Sequence, residues 1–180
     1  MTQEAVSDLT VDTLALMRIE GSYAPTYDGR HGEEWANLFT EEGIYQARVM
    51  DGQAGNFIAG RDNLAKFCNE QPWHGIHYMM TPRFDIDGDT ASCRVHFQYR
   101  AIGIVDGSVS IRNSSGAYDV AYVRAGAGWL IERRITSFFA ESKEVFHGWY
   151  PTAADMSGPW PYQDERYVDR RVQESPMTQS

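Results

Sequence analysis

The chain has 180 residues, of which 42% are hydrophobic, 23% charged and 13% aromatic, and it carries a formal net charge of −9. This length suits one globular domain with a hydrophobic core of its own. The negative charge, without any cluster of Lys or Arg, argues against nucleic acid or an anionic membrane as a partner, because both are themselves negative.

Three helices and one early strand are predicted in the first 70 residues. The helices are predicted over residues 8–28, 32–40 and 60–70, and the strand over residues 43–49. In the first helix, Leu16, Ile19, Tyr23 and Tyr27 recur at helical spacing. This spacing predicts one apolar helix face directed at a core.

From residue 76 onward the apolar residues recur with a period of two, which is typical of β-strands. Strands are predicted over residues 76–87, 90–105, 116–125 and 128–141. Cys93, Val95, Phe97 and Tyr99 share one face of the second of these strands. Helices followed by such a meander predict an α+β fold, with three helices on one face of a curved, mostly antiparallel sheet. A curved sheet covered by helices favours an internal cavity.

The C-terminal extension, residues 148–180, differs from the single domain predicted over residues 1–147. It is rich in Pro, Trp and Tyr, and exposed aromatic side chains gain nothing in water. We expect its first part, through about Tyr167, to pack on the domain or on a neighbouring subunit. The last residues are expected to be disordered.

The cellular location and the absence of bound metal are also expectations from the sequence. No apolar run approaches the ~20 residues that span a bilayer, and the first ten residues do not resemble a signal peptide. Cys68 and Cys93 form neither a CxxC motif nor a metal-type pair, so we expect a cytoplasmic protein with free thiols. His74 and His77 are three residues apart on a predicted strand, which directs their rings to opposite faces, and no metal site is expected.

Asp28 and His77 are the candidate chemical groups. The simplest interpretation of Asp28 is that it ends a helix and accepts hydrogen bonds from nearby backbone donors. Alternatively, it accepts from one nitrogen of His77, which would fix the imidazole tautomer and make the other nitrogen a better base. A lone histidine in a strand is usually structural or exposed, but an imidazole with its usual pKa of ~6.5 suits proton abstraction near neutral pH.

Two arginines and one histidine are candidates for binding a substrate. Arg133 and Arg134 are adjacent on a strand and must point to opposite faces, so one of them could hold an anionic group in a pocket. His96 alternates with Arg94 and Gln98. That polar face favours solvent or a subunit interface over a pocket.

Aromatic residues are candidates for an apolar pocket lining, with ordinary core packing as an equal alternative. Among the phenols, Tyr27 and Tyr45 come first, and Tyr118 shares a strand face with Tyr122. The further lining candidates are Tyr23, Phe67, Trp73, Phe97 and Phe138.

Three segments together resemble a known family. They are "SYAPTYDGRHGEEWANLF" (22–39), "GIHYMMTPRFDIDGD" (75–89) and "GWLIERRITSFF" (128–139). Their order resembles the SnoaL-like branch of the nuclear transport factor 2-like superfamily, over roughly residues 10–141. That branch includes scytalone dehydratase, hexachlorocyclohexane dehydrochlorinase, bile acid 7α-dehydratase, polyketide cyclases and ketosteroid isomerase. The resemblance implies a cone-like α+β barrel, a fold that hosts many unrelated activities.

The resemblance also implies roles for particular residues. In the dehydratase and dehydrochlorinase members, an Asp at the end of the first helix orients a His that removes a proton, and an Arg on the last strand assists. By position, these residues match Asp28, His77 and Arg134. A pocket Tyr matches Tyr27, and an aromatic residue of the first strand matches Tyr45. A second strand histidine in scytalone dehydratase makes His96 a possible substrate contact, and Pro25 departs from the family's uninterrupted first helix, which would displace Asp28.

The function implied is that of a cofactor-independent, dehydratase-type lyase acting on a small, apolar, cyclic or aromatic substrate. His77 would take the proton, Asp28 would support it, Tyr27 or Tyr45 would polarise the substrate, and Arg134 would steady negative charge. Alternatives are an isomerase or polyketide cyclase, a non-catalytic small subunit of a ring-hydroxylating dioxygenase, or a ligand-binding module. A homo-oligomer is expected, with a trimer favoured over a dimer.

Overall fold

The helices lie on one face of a large curved sheet, in a cone-like α+β arrangement. The computed structural model describes the backbone of residues 3–48, 54–105 and 108–145 and the side chains of residues 9–47, 55–103 and 108–142. The helices are α1 (Gln3–Asp28), α2 (Gly32–Ala36) and α3 (Arg61–Asn69). The strands are β1 (Phe39–Arg48), β2 (Ala54–Ala59), β3 (His74–Met79), β4 (Arg83–Asp87), β5 (Thr90–Val105), β6 (Ser108–Ala125) and β7 (Gly128–Val145).

The described strands form one sheet in the order β2-β1-β7-β6-β5-β3, with β4 also paired to β5. β1 runs parallel to β7, and the other pairs are antiparallel. The predicted α+β fold with a mostly antiparallel sheet is therefore confirmed. β3 stands at one end of the strand order, which later matters for the site.

The core lies between α1 and the inner face of the sheet. Leu16, Ile19 and Tyr23 of α1 are buried, as their helical spacing predicted. Along β5, residues 91–97 alternate between buried and exposed side chains, so that Val95 and Phe97 face inward. The apolar face of α1 and the inward face of β5 thus contribute to one core that is rich in aromatic residues.

Several predicted boundaries are wrong. The helix predicted over 32–40 ends at Ala36, because the chain then joins the sheet, where the N–H of Ile131 donates to the carbonyl of Leu38 over 2.8 Å. The single strand predicted over 76–87 is two strands, β3 and β4. Pro82 lies between them and has no N–H to give to a ladder.

Two further strands differ from the prediction, one because it was not predicted and one because it is longer than predicted. β2 was not predicted at all, since its six residues show no clear alternation. β6 begins at Ser108 rather than at residue 116. The added half of β6 contributes to the site described below.

The end of α1 positions Asp28. The helix continues through Pro25 to Asp28, and the N–H of Gly29 still donates to the Pro25 carbonyl over 2.9 Å. Arg30 then takes a left-handed conformation with φ of 56°. The N–H of Arg30 donates to the carbonyl of Tyr27, and that of His31 to the carbonyl of Thr26, which is the hydrogen-bond pattern of a Schellman motif. The interruption expected from Pro25 is therefore wrong.

The C-terminal extension 148–180 lies outside the described residues, and so does the end of the domain predicted over 1–147. In the described ranges, no helix combines the length and the apolar character needed to cross a bilayer.

Candidate active site

Asp28 and His77 are in direct contact although they lie on different elements. The Nδ1 atom of His77 is 2.6 Å from Oδ1 of Asp28, and the backbone N–H of His77 donates to Oδ2 over 2.7 Å. The side chains are only 6% and 9% exposed, respectively. Because an ionised carboxylate only accepts hydrogen bonds, Nδ1 carries the hydrogen, and the lone pair of a neutral imidazole lies on Nε2.

Tyr118 occupies the other side of the imidazole. Its hydroxyl oxygen is 3.0 Å from Nε2 of His77, so in the neutral tautomer the phenol donates to Nε2. The ring of Tyr99 lies over the imidazole, with the ring centroids 4.3 Å apart, and the ring of Tyr27 is nearly perpendicular to the imidazole, with the centroids 5.5 Å apart. The imidazole is therefore fixed by one carboxylate, one phenol and two aromatic rings.

A cavity of about 220 Å³ adjoins this group. Its wall is mostly aromatic, which suits an apolar ligand. The lining residues include nine of the candidates from the sequence: Tyr23, Tyr27, Tyr45, Phe67, Trp73, His77, Phe97, Tyr118 and Phe138. Asp28 is not among the lining residues, but it contacts His77, which lines the cavity.

Four of the phenols around the cavity remain protonated near neutral pH. Burial raises the pKa of Tyr23, Tyr27 and Tyr118 well above the usual value, and it raises the pKa of Tyr45 as well. The hydroxyl of Thr136 donates to the phenol oxygen of Tyr45 over 3.2 Å, so the O–H of Tyr45 is itself a donor. These hydroxyls can supply hydrogen bonds to a ligand but cannot act as bases near neutral pH.

Arg134 does not reach the cavity, which corrects its predicted contact with substrate. Its side chain is 0% exposed, and both terminal nitrogens donate to the carboxylate of Glu20, over 2.7 and 3.0 Å. Burial by itself lowers the pKa of this guanidinium, but the Glu20 carboxylate outweighs burial and leaves the pKa raised. Arg133, on the opposite strand face, is exposed.

The guanidinium of Arg134 lies below two cavity tyrosines. Its central carbon is 3.5 Å from the ring centroid of Tyr23 and 4.2 Å from that of Tyr118. Glu20 also accepts from the Tyr122 hydroxyl over 2.6 Å. Arg134 thus packs against both tyrosine rings.

His96 is not among the residues that line the cavity, which agrees with the outer-face position that its polar strand face favoured and not with the substrate contact that the resemblance made possible. Its neighbour Phe97 faces the core, and the strand period directs His96 to the exposed outer face of the sheet. There its ring lies 6.0 Å from that of Phe139.

The sequence missed several residues that line the cavity. Arg112 belongs to the half of β6 that was not predicted as a strand, and Tyr99 was placed only on a strand face. Gln71 and Asn56 bring neutral amides to the wall. Inward alternation along a correctly bounded β6 would have placed Arg112 on the same face as Tyr118.

Nothing in the described segments forms a cluster of three or more His, Cys, Asp or Glu side chains placed to bind a metal ion. The acid–base groups at the cavity are those of Asp28, His77 and the surrounding phenols. This arrangement can accept a proton at Nε2, support the resulting charge and donate hydrogen bonds to a ligand.

Comparisons with known proteins agree with this architecture. The model of the family described as SnoaL-like domain matches residues 11–135. No functionally curated protein matches the sequence.

Similar solved structures include proteins of differing kinds. A proposed scytalone dehydratase from Novosphingobium aromaticivorans has a TM-score of 0.62 at 18% identity, over 82% of this chain and 95% of that chain. Hexachlorocyclohexane dehydrochlorinase LinA-type3 from Novosphingobium barchaimii has a TM-score of 0.64 at 14% identity, over 80% and 97%. The β subunit of a proposed aromatic-ring-hydroxylating dioxygenase from Novosphingobium aromaticivorans has a TM-score of 0.58 at 17% identity, over 73% and 92%. At such identities the likeness shows the fold and not the reaction.

Proposed function

This chain belongs to the SnoaL-like domain family, and from that premise we propose that it is a lyase that removes water from a small cyclic or aromatic molecule without a cofactor. The observation that carries the proposal is the shielded contact between Asp28 and His77 beside an aromatic cavity. A carboxylate and an imidazole in this arrangement form a general base whose accepting atom is defined.

Proton abstraction would occur at Nε2 of His77. The substrate would place a C–H bond, acidified by a neighbouring carbonyl, within reach of this atom. As Nε2 takes the proton, the C–H electron pair becomes a carbon–carbon double bond and the hydroxyl on the adjacent carbon departs. Asp28 would stabilise the imidazolium that forms, because it already holds the opposite nitrogen.

Tyr118 would couple the abstraction of the proton to the departure of the hydroxyl. Its hydroxyl donates to Nε2 in the resting state, and that bond must change once Nε2 carries a hydrogen. The phenol can then give its hydrogen to the departing hydroxyl, which leaves as water, while the phenol oxygen takes the proton from Nε2, so that neutral phenol and imidazole are restored. Tyr27 and Tyr45 remain candidates for polarising the carbonyl, since both line the cavity as protonated phenols.

The cavity volume limits the substrate. A volume of about 220 Å³ lies below the roughly 300–1,000 Å³ of pockets for drug-sized ligands. Molecules of one or two rings are therefore the substrate class proposed here. We also propose a homo-oligomer, a trimer in preference to a dimer, as for dehydratases of this superfamily.

The experiment compares His77→Gln with His96→Gln, the same change on the outer face of the sheet. Small cyclic β-hydroxyketones would be incubated in D₂O, with water loss followed by ultraviolet absorbance and C–H exchange by NMR. His77→Gln should lower both rates by about 10²–10⁴-fold, the usual contribution of a general base, while His96→Gln should match the wild type. Full activity of His77→Gln would end the proposal.

The same experiment distinguishes the neighbouring functions. C–H exchange without water loss would indicate an isomerase or a cyclase, which needs the same base but no leaving group. Absence of both reactions, together with stable co-purification with a larger catalytic subunit, would favour a non-catalytic role.

A further inference from the structure

Arg112 gives the cavity a charge that the proposed proton chemistry does not use. Of the described residues that line the cavity, Arg112 alone carries a permanent charge. The remaining wall consists of aromatic rings, the His77 imidazole, small residues and two amides. A guanidinium in such surroundings creates a positive field that a neutral ligand does not need.

The side chain of Arg112 is held in place by its neighbours. Its guanidinium carbon lies 6.0 Å from the ring centroid of Trp73 and 5.7 Å from that of Phe138, and Nη2 donates to the carboxylate of Glu141 over 2.7 Å. The side chain is 23% exposed. The guanidinium is therefore fixed at the cavity between two aromatic faces.

One N–H donor of the Arg112 guanidinium has no acceptor in the described part of the chain. The Nε atom of Arg112 is buried, and it has no hydrogen-bond acceptor among the described residues. Buried N–H groups are nearly always paired in native proteins. A fork of guanidinium nitrogens matches the two oxygens of a carboxylate better than it matches a single carbonyl oxygen.

We propose that Arg112 binds a carboxylate group of the substrate, so that the ligand of this cavity is an aromatic or cyclic acid. Its carboxylate would accept from the Nε side of the guanidinium while the apolar ring packs on Trp73 and Phe138. This inference adds a substrate class to the proposed function. The conversion of the acid rests on that function, whereas the binding of the acid does not.

The position of Arg112 along β6 agrees with this role. Arg112 and Tyr118 are separated by an even number of residues and share the inner face of β6. They therefore enter the cavity from two separate points along the strand. A molecule anchored by its carboxylate at Arg112 keeps another part free to lie beside Tyr118 and His77.

Glu141 competes with such a ligand for Arg112. Its side chain is 26% exposed, and ion pairs with access to water contribute little to stability. Exchange of this partner for a ligand carboxylate would therefore cost little. Replacing Glu141 by Gln should strengthen the binding of an acid.

The test uses 2-naphthoate and its neutral isostere 2-naphthamide, titrated against the full chain at low salt by isothermal calorimetry. The wild type should bind the acid at least about tenfold more tightly than the amide, because only the acid forms charge-assisted hydrogen bonds. Arg112→Gln should remove this preference while keeping the affinity for the amide. Arg133→Gln, on the exposed face of β7, is the matched control and should keep the preference.

Two further variants complete the test. Glu141→Gln should bind the acid more tightly than the wild type, and His77→Gln should retain the preference for the acid. Equal affinities for acid and amide in the wild type, an undiminished preference in Arg112→Gln, or no binding of 2-naphthoate would each overturn the inference. If the preference depends on Arg112 while His77→Gln keeps full turnover, the carboxylate site stands and the proposed reaction does not.

Discussion

The phenol oxygen of Tyr118 lies 3.0 Å from Nε2 of His77, on the side of the imidazole opposite the Asp28 contact, and in the neutral tautomer the phenol donates its hydrogen to Nε2. Both ring nitrogens are therefore engaged before any ligand arrives. Such a ring keeps one tautomer and one orientation. It can accept a proton at Nε2 only if the phenol changes its hydrogen bond at the same time.

Tyr118→Phe tests this coupling. The ring would remain stacked on Phe97, with centroids 4.4 Å apart, so the free energy of unfolding should change by no more than about 1.5 kcal/mol, the usual range for one hydrogen bond. Because the departing hydroxyl loses its proton donor, kcat should fall by about 10²-fold or more, with KM nearly unchanged. Tyr78→Phe, which alters an exposed phenol, is the control, and an unchanged kcat in Tyr118→Phe would exclude the coupling.

Asp28→Asn tests the supporting carboxylate. The amide oxygen can still accept from the backbone N–H of His77, so the fold should survive. The amide cannot stabilise the imidazolium, and kcat should fall by about 10²–10⁴-fold. ¹⁵N NMR of the imidazole should also show that the Nδ1–H tautomer is no longer the single form. Asp85→Asn, an exposed carboxylate, should leave both measurements unchanged.

Replacing either Glu20 or Arg134 alone should lower the free energy of unfolding strongly, whereas replacing both together should lower it less than the two single changes added. Glu20→Met or Arg134→Met alone leaves an uncompensated buried charge and should lower the free energy of unfolding by about 3–5 kcal/mol. The double variant should lose clearly less than the sum of the two losses, which urea unfolding can measure. Arg133→Met should stay within about 0.5 kcal/mol of the wild type, as is usual at exposed sites. Additive losses would mean that the two charges do not stabilise each other.

Stability should fall at alkaline pH. Burial is the main cause that raises the pKa of the Cys68 thiol to about 12 and that of Cys93 to about 11, from an ordinary value of 9.0. Above pH 9 the unfolded chain therefore binds fewer protons than the native one, and the stability that is complete below pH 9 is lost as the pH rises through about 11 for Cys93 and about 12 for Cys68. The slope should reach about 1.4 kcal/mol per pH unit for each thiol. A free energy of unfolding that stays constant between pH 8 and pH 11 would contradict this.

Two glycines should respond in opposite directions to alanine. A Cβ atom at Gly116 would collide with the carbonyl oxygen of Ser137 and press on the ring of Phe97, so Gly116→Ala should destabilise by about 1–3 kcal/mol. Gly21 lies in the interior of α1 with nothing within 4 Å of an added Cβ. Gly21→Ala should stabilise by about 0.5–1 kcal/mol. Thermal unfolding of both variants would check the pair.

The sequence predicted elements best where burial alternates regularly. β5 was predicted with its observed limits, Thr90 to Val105, because every second residue along much of it faces the core. The first half of β6 failed this test, since in its segment "SVSIRNSSG" only Val109 and Ile111 are apolar, and the face that carries Arg112 is otherwise Ser and Gly. Arg112 lies in that segment, and the missed strand therefore hid the charge in the cavity.

Contacts between residues that are far apart in the sequence could not be predicted from local patterns alone. Asp28 and His77 are 49 residues apart; their contact was one of two interpretations of Asp28, and it was the family resemblance that favoured it. The partner of Arg134 is 114 residues away. No local pattern could show that Glu20 would satisfy this arginine and keep it from the cavity, because a glutamate in a helix is usually exposed.

His77 lies on β3, and none of the described strands lies beside the outer edge of β3. On that side the carboxylate of Asp28 takes the place of a strand by accepting the backbone N–H of His77. A molecule in which β3 separates from α1 would lose the support of its base and expose an unpaired strand edge in the same event. Under the proposed function, the alignment of the base and the protection of this strand edge thus both rest on the carboxylate of Asp28.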